Sequence, residues 1–372
     1  MSIENLINRP LTIGDLKVPV PIIQGGMGVC VSLSGLASAV ANEGGIGVIS
    51  AVGIGMLEPD FKNNFKQSNK IALRKEIRKA YAKTNGIIGV NIMLAATDFD
   101  ELLQVCLEEE IDVVFISAGL PLKKPLLPLL DNTKTKFIPK VSSARAAKLI
   151  FQHWSDKYDR IPDAIVLEGP LAGGHQGYKL KDVSNPKTTI SALVNETKLV
   201  INPFEQKYGI EIPIIAAGGI YTGKDILEIL EVGAQGVKMG SRFVTTTECD
   251  VSEKFKQVYI DSSEEDITVI SSPVGLPARV IKNDFVEQIQ QGMKKPINCP
   301  WKCLKTCDYK KVQFCIADAM FSAAIGEFSN GFAFAGTKSH LANKIITVKE
   351  TFEQIKFEYF NEQLMYKTLH FA

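Results

Sequence analysis

Residues 212–243 read IPIIAAGGIYTGKDILEILEVGAQGVKMGSRF, and this stretch decides the fold. Ile212 to Ala217 is a short apolar run, continuous rather than alternating, as a strand buried on both faces of a parallel sheet requires. The segment GKDILEILEVGA repeats its apolar residues at three- and four-residue intervals, the pattern of a helix packed on a sheet. Glycine ends that helix, where a left-handed residue relieves the C-terminus. A second apolar run, Gly236 to Gly240, follows at once. The unit is strand, helix, strand, the repeat from which parallel α/β folds are built.

The same alternation runs outward toward the N-terminus. Further apolar runs are Val20 to Gln24, Gly47 to Ser50, Ile87 to Ile92, Val113 to Ser117, Lys136 to Lys140 and Ala164 to Glu168, so the candidate strands number eight. Between them lie LSGLASAVANEG, ALRKEIRKAYAKTNG, DELLQVCLEEE and SSARAAKLIFQHWSDKY, each with helical spacing. Continued to residue 240, this alternation predicts an α/β fold, a TIM (β/α)8 barrel. An open doubly wound sheet is the alternative, because alternation does not specify strand order. A barrel takes roughly 250 residues. The 372-residue chain is therefore divided into a barrel at 1–250, a lid and cysteine-containing helical lobe at 251–343, and a helical tail at 344–372. Two excursions, residues 53–70 and 171–190, leave the C-terminal ends of the second and sixth strands, the face where barrel loops form active sites.

Composition removes several classes of function. Lys and Arg number 42 against 41 Asp and Glu, a formal charge of +1, so no long-range field draws the chain to nucleic acid or an anionic membrane. With 45% hydrophobic residues, the chain builds a core rather than remaining disordered. No run approaches the roughly 18 apolar residues of a membrane span, and the first residues lack the pattern of a secretory leader. Seven cysteines, an odd number without a secretory framework, suit a reducing compartment. The expectation is a cytoplasmic protein with a small-molecule partner; homo-oligomerisation stays open.

Polar residues and glycines gather at the predicted strand ends: Gln24-Gly25-Gly26-Met27, Asn91, Ser117-Ala118-Gly119, Lys140, Glu168-Gly169, Ala217-Gly218-Gly219 and Gly240-Ser241-Arg242. Glycine lets backbone amides approach a ligand closely. GGIYTGKD and MGSRF together offer amide donors and a helix N-terminus to a phosphate, at the position where barrels bind one. Neither the dinucleotide fingerprint G-x-G-x-x-G nor a complete P-loop is present. His175 lies between glycines in AGGHQG, where an imidazole would donate to a developing negative charge or exchange a proton near neutral pH; the alternative is a loop histidine satisfied by backbone. His153, in FQHWSD on a helical pattern, reads as a surface or packing residue, and His340 and His370 have no ligand-like neighbours at short spacing.

The ordered motifs PIIQGGMG, GVNIML, LEGPLAGGHQG, IPIIAAGGI and GVKMGSRF resemble those of the FMN-dependent nitronate monooxygenase (2-nitropropane dioxygenase) family. The flavin-dependent enoyl-acyl-carrier-protein reductase II branch is similar over the same region, from about Pro19 to Arg279. The resemblance implies a TIM barrel with FMN at the strand C-termini. Gly25, Gly26 and Met27 then match the first flavin loop, Asn91 the third strand end, and Glu168 and Gly169 the sixth. Gly173, Gly174, His175 and Gln176 match the active-site loop, with His175 on the catalytic histidine. Ala217, Gly218 and Gly219 match one phosphate loop, and Gly240 and Ser241 the other. The implied reaction is oxidation of an alkyl nitronate by molecular oxygen to a carbonyl compound and nitrite. The alternatives are NAD(P)H-dependent reduction of an enoyl thioester on acyl-carrier protein, or a nonenzymatic flavin-binding module.

Some residues depart from the family pattern or stand outside it. Lys140 ends the fifth strand, where the family has a small or apolar residue; it would meet flavin phosphate or a carboxylated substrate, or pair with Glu168. Pro170 stiffens the loop after Glu168. Arg279, in SSPVGLPARVIKN, would reach an anionic cofactor or substrate, or lie on the lid surface. Cys299, Cys303, Cys307 and Cys315 are spaced C-x3-C-x3-C-x7-C. If residues 299–307 are helical, their thiols share one slowly drifting stripe. Reduced core thiols are the simpler reading; zinc or an iron–sulfur cluster, or redox thiols, are the alternatives.

Overall fold

The structure, a computed structural model, describes residues 9–122, 133–184, 187–293, 299 and 301–371. Residues 185–186 of the second excursion, and Asn298 and Pro300 beside Cys299, lie outside the described residues. An antiparallel hairpin, β1 (Leu11–Ile13) and β2 (Leu16–Val18), comes first. The next strands are β3 (Ile22–Gln24), β4 (Ile46–Ser50), β5 (Ile87–Met93), β6 (Val113–Ser117), β7 (Lys136–Val141) and β8 (Ile165–Glu168). A two-residue strand, β9 (Gly174–His175), interrupts the series before β10 (Ile214–Ala217) and β11 (Gly236–Met239). Strands β3–β8, β10 and β11 form a closed barrel in the order β10-β11-β3-β4-β5-β6-β7-β8. The parallel pairing of β11 with β3, Val237 opposite Ile22, closes the ring. The predicted TIM barrel is therefore the fold, and the open sheet is excluded.

The barrel interior is packed rather than hollow. Ile23, Val48, Phe115, Ile138, Val166 and Ile215 fill it. Gly89 makes room for this packing, since a Cβ there would lie 2.9 Å from Cε2 of Phe115. Leu11, Ile13 and Val18 of the hairpin belong to the same interior cluster, and Leu11 lies against Gly236 at the start of β11. The hairpin thus plugs the N-terminal end of the barrel. Its strands are three residues each, too short for their alternation to stand out in the sequence. Outside the strands a second core holds the helices, with Leu36, Leu73, Leu103, Trp154 and Ile226 fully or almost fully buried. The helix expected from Ala72 starts earlier, at Phe65, within the first excursion.

The region after the barrel contains more than helices. Strands β12 (Ile267–Ser271) and β13 (Pro277–Ile281) pair antiparallel, and β13 also pairs with β9, giving a three-stranded sheet in the order β12-β13-β9. The cysteine segment is not helical over residues 301–307. Its backbone pairs instead with the loop after β5: Leu304 bridges Ala96, the Thr97 amide donates to the Cys303 carbonyl at 3.0 Å, and the Lys305 amide donates to Ala95 at 2.8 Å. A helix resumes at Ile316–Ala324, immediately after Cys315. The long helix Val348–Phe371 packs on Gly223–Val232, so closely that a Cβ at Gly223 would lie 2.2 Å from the Tyr359 nitrogen.

The first βα unit supplies a test of this packing. Helix Ser34–Asn42 lies on β4 where Gly47 exposes its backbone, and a Cβ there would meet the Ala37 carbonyl oxygen at 1.8 Å. Gly47→Ala should destabilise the protein by about 1–3 kcal/mol through overpacking, measured as a lower denaturation midpoint with an unchanged slope.

Candidate active site

Side chains of a strand point alternately to its two faces, so the inward set of each barrel strand is known once one member is placed. Val48 on β4, Phe115 on β6, Ile138 on β7, Val166 on β8 and Ile215 on β10 all lie in the interior cluster. Two residues further on, at the C-terminal rim, the inward residues are Ser50, Ser117, Lys140, Glu168 and Ala217; β5 contributes Asn91, and β11 contributes Lys238, opposite Ala217. The interior therefore changes from apolar to polar within one layer. Asn91 donates to Ser117 Oγ at 3.2 Å, and Lys140 Nζ meets Glu168 Oε1 at 2.7 Å. Lys140 thus pairs with Glu168.

Above this layer opens a cavity of about 670 Å3. Its margins include Gly25, Gly26, Met27, Gly173, Gln176, Gly218, Gly219, Gly240 and Ser241, so the structure gathers the sequence-predicted strand-end residues around one space; Asn91, Lys140, Glu168, Gly174, His175 and Ala217 also border it. Gly169 is held at the rim by its amide, which donates to the Ala217 carbonyl at 2.8 Å. Three glycines are sterically required. A Cβ at Gly26 would lie 2.5 Å from that of Asn91, and Gly218 and Gly219 take φ of 93° and 80°, conformations in which L side chains are strained. The N-terminus of helix Gly223–Val232, expected to face a phosphate, is occupied by protein carboxylates. Asp225 accepts from Tyr221 and Thr222, and Glu358 accepts from Gly223 at 2.7 Å. Gly218-Gly219 and Gly240-Ser241 of that corner still border the cavity, together with Ile220 and Tyr221.

His175 is positioned by tertiary pairing rather than by a free loop. It sits on β9 opposite Ala278 of β13, its Nε2 lies 2.5 Å from Ser272 Oγ, and its ring stands edge-on to Phe334 at 5.0 Å. Burial, followed by the positive charge of Lys140, pushes its pKa down to about 4. The imidazole is therefore neutral at physiological pH, which corrects the expectation of proton exchange near neutrality.

Arg279 also differs from both of its expected roles. It is buried, and its guanidinium donates to the carbonyls of Pro170 (2.8 Å), Ala172 (2.6 Å) and Val183 (3.3 Å). It braces the loop that carries His175 and does not line the cavity. Gln176 is likewise tied to its own loop, donating to the Ala172 carbonyl at 2.6 Å.

Two residues that bear on the site escaped the sequence reading, Ser272 as the partner of His175 and Lys238 as a cavity residue. Ser272 is 97 positions from His175, and no local signal joins them. Lys238 had a signal, a lysine inside the apolar strand run GVKM, yet period-two alternation identifies it as inward only after the barrel is closed. The four clustered cysteines are free thiols. Cys303 borders the cavity, and its thiol is pushed up to about 12 by burial and then by the charges of Cys315, Cys299 and Cys307. Among the described residues, no three His, Cys, Asp or Glu side chains gather as a metal site. No helix among the described residues is long and apolar enough to cross a membrane.

The buried polar atoms left without partners mark what the cavity would hold. Ser50 Oγ, Gln176 Oε1, Lys238 Nζ, Trp301 Nε1 and Ser339 Oγ lack hydrogen-bond partners, and all five residues border this cavity. Buried polar groups are normally paired. Donors and acceptors around a glycine-lined corner fit a large polar, phosphate-bearing cofactor with a planar ring, and FMN meets that description.

A closed barrel with a polar rim under a large cavity is an enzyme-like architecture. The chain belongs to the nitronate monooxygenase family, whose model matches residues 9–358. Among solved structures, FabK from Thermotoga maritima is 30% identical, with a TM-score of 0.71 and coverage of 95% of this chain and 96% of that one. Among curated relatives, a (3aS,4S,5R,7aS)-5-hydroxy-7a-methyl-1-oxo-octahydro-1H-indene-4-carboxyl-CoA dehydrogenase of Mycobacterium tuberculosis is 29% identical over 74% of this chain; the match spans 66% of that relative's length. A "Probable nitronate monooxygenase" of Staphylococcus saprophyticus is 26% identical over 75% of this chain and 80% of its own. The protein is thus a flavin-family oxidoreductase related to both nitronate monooxygenases and FabK-like enzymes.

Two measurements check this geometry. Arg279→Ala leaves the Pro170 and Val183 carbonyls without this donor and the Ala172 carbonyl with Gln176 alone, and should cost on the order of 3 kcal/mol, with faster amide exchange across residues 170–176. Because the unfolded histidine titrates near 6.5 and folded His175 near 4, the unfolded chain takes up the proton first. His175 therefore contributes stability that is complete above about pH 6.5 and is lost as pH falls toward 4, by up to about 3 kcal/mol. Denaturation midpoints of wild type and His175→Gln should accordingly differ in their slope against pH between 6.5 and 4.

Proposed function

We propose that the protein is an FMN-dependent reductase or dehydrogenase of small acyl thioesters that exchanges electrons with NAD(P)H. The observation that carries this reading is the position of His175, held against Ser272 and bordering a cavity that also has apolar wall residues, among them Phe61, Leu276, Leu304 and Met320; its burial lowers its pKa to about 4. A neutral imidazole suits hydrogen-bond donation to a carbonyl that gains negative charge; with a pKa of about 4 it is a poor base for a neutral nitroalkane. FabK and the carboxyl-CoA dehydrogenases support the thioester class. Nitronate oxidation with molecular oxygen, the first expectation from the motifs, is the second reading and is supported by the family match.

The Gly25-Gly26-Met27 loop, Asn91, Lys140, Gly218-Gly219 and Gly240-Ser241 would hold FMN. The cofactor, when bound, supplies reversible hydride transfer between nicotinamide and substrate. The chain's own residues do the rest. In this reading Ser272 Oγ would donate to Nε2, which would place the imidazole proton on Nδ1 for the thioester oxygen. Arg279 keeps the His175 loop in register by holding its carbonyls. Leu304 and Phe334, which border the cavity, would give it an apolar wall against the substrate.

Purified protein should show flavin absorbance and release FMN by mass. Under anaerobic conditions NADH or NADPH should reduce it and an enoyl thioester should reoxidise it. His175→Ala should slow thioester-dependent reoxidation about 10²–10³-fold, the usual cost of losing one preorganised donor, while changing reduction by nicotinamide only a few-fold. Rapid reduction by a nitronate but not by nicotinamide would overturn the thioester reading in favour of nitronate oxidation.

A further inference from the structure

The polar rim of the barrel contains two lysines and one carboxylate among its inward residues, and only one lysine is paired. Lys140 Nζ meets Glu168 Oε1 at 2.7 Å. Lys238 is buried, its Nζ has no hydrogen-bond partner, and it sits 3.7 Å from the centroid of the Phe115 ring. Its neighbours in the ring are Ala217 on β10 and Ile23 on β3, neither of which can accept a hydrogen bond through its side chain. The cation–π contact offsets part of the desolvation cost. It leaves the Nζ donors unsatisfied beside the cavity that Lys238 borders.

An unpaired ammonium in such a place is costly to folding. Burial, and then the like charge of Lys140, push the Lys238 pKa down to about 7, with Glu168 opposing. A buried ammonium with no hydrogen-bond partner costs folding free energy, so its burial does not stabilise the fold. Its position suits a ligand whose charge becomes more negative during turnover. Transfer of a hydride from a nicotinamide to a neutral flavin delivers two electrons and one proton, so the acceptor gains one negative charge and the nicotinamide leaves oxidised.

We propose that Lys238 is a positioning residue that compensates the negative charge arriving on a reduced flavin in this cavity, Lys140 being already neutralised by Glu168. The role rests on the FMN reading above. It deepens that reading by assigning control of the reduction potential to β11, at a residue placed by barrel closure rather than by a motif. Lys238 favours the reduced cofactor over the oxidised one and contributes little to holding the oxidised form.

The test compares wild type, Lys238→Met and Lys238→Arg as purified flavoproteins. Lys238→Met should fold at least as stably as wild type at pH 7 and keep a full complement of FMN. Its reduced-to-oxidised equilibrium should fall at least tenfold, about 30 mV for a two-electron couple. Sulfite, which adds to oxidised flavin and leaves it negatively charged, should bind at least tenfold more weakly. Lys238→Arg should lie between the two. Full flavin occupancy with unchanged potential and sulfite affinity would overturn the role of Lys238 while leaving the FMN reading intact. Loss of FMN from Lys238→Met alone would also overturn it, by making Lys238 a residue that holds the oxidised cofactor. Absence of flavin from wild type would remove both readings.

Discussion

Closure of the barrel is the constraint on which the rest of the structure depends. Once β11 pairs with β3, every inward side chain faces other inward side chains, and the interior has no solvent to hide in. Apolar residues fill most of its depth, from Leu11 and Val18 in the hairpin up to Phe115 and Val166. At the last layer the sequence changes to Ser50, Asn91, Ser117, Lys140, Glu168 and Lys238. Polar groups so confined must find partners in each other or in a ligand. Two pairs form, Asn91 with Ser117 and Lys140 with Glu168. What remains unpaired points to the chemistry.

A second level of organisation comes from the chain after the barrel. Strand β13 passes beside the rim and recruits β9 into its own sheet. That one pairing sets Ser272 against His175 and puts Arg279 under the loop carbonyls. The histidine is consequently held by partners from β13 and the Ser272 turn, with burial lowering its pKa, while the arginine is spent on structure. The cysteine segment uses its backbone in a similar way, closing on the loop after β5. The cysteine segment is thus joined to the loop after β5 by main-chain hydrogen bonds.

Much of the site was legible in the sequence because its determinants are local. Glycines at Gly26, Gly218 and Gly219 are demanded by backbone approach or by positive φ, and they appear in sequence as clusters following apolar runs. The helix N-terminus at Gly223 misled for the opposite reason: its dipole and amides suit an anion, but Asp225 and Glu358 already supply one, and Glu358 comes from 135 residues away. The cysteine spacing suggested a helix, whereas the segment's amides bond to Ala95 and its carbonyls to Thr97. Tertiary partners took precedence over local periodicity there.

The sequence by itself determined the order of strands and helices, the glycine-bearing strand ends and the family, since periodicity, turn residues and short motifs act over a few neighbouring positions. Only the tertiary structure decided ring closure, the neutral state of His175, the inward use of Arg279 and the isolation of Lys238. Each of these depends on burial or on a partner from another element. Solvent exclusion and charge pairing are properties of the assembled layer, so no single segment of the chain contains them.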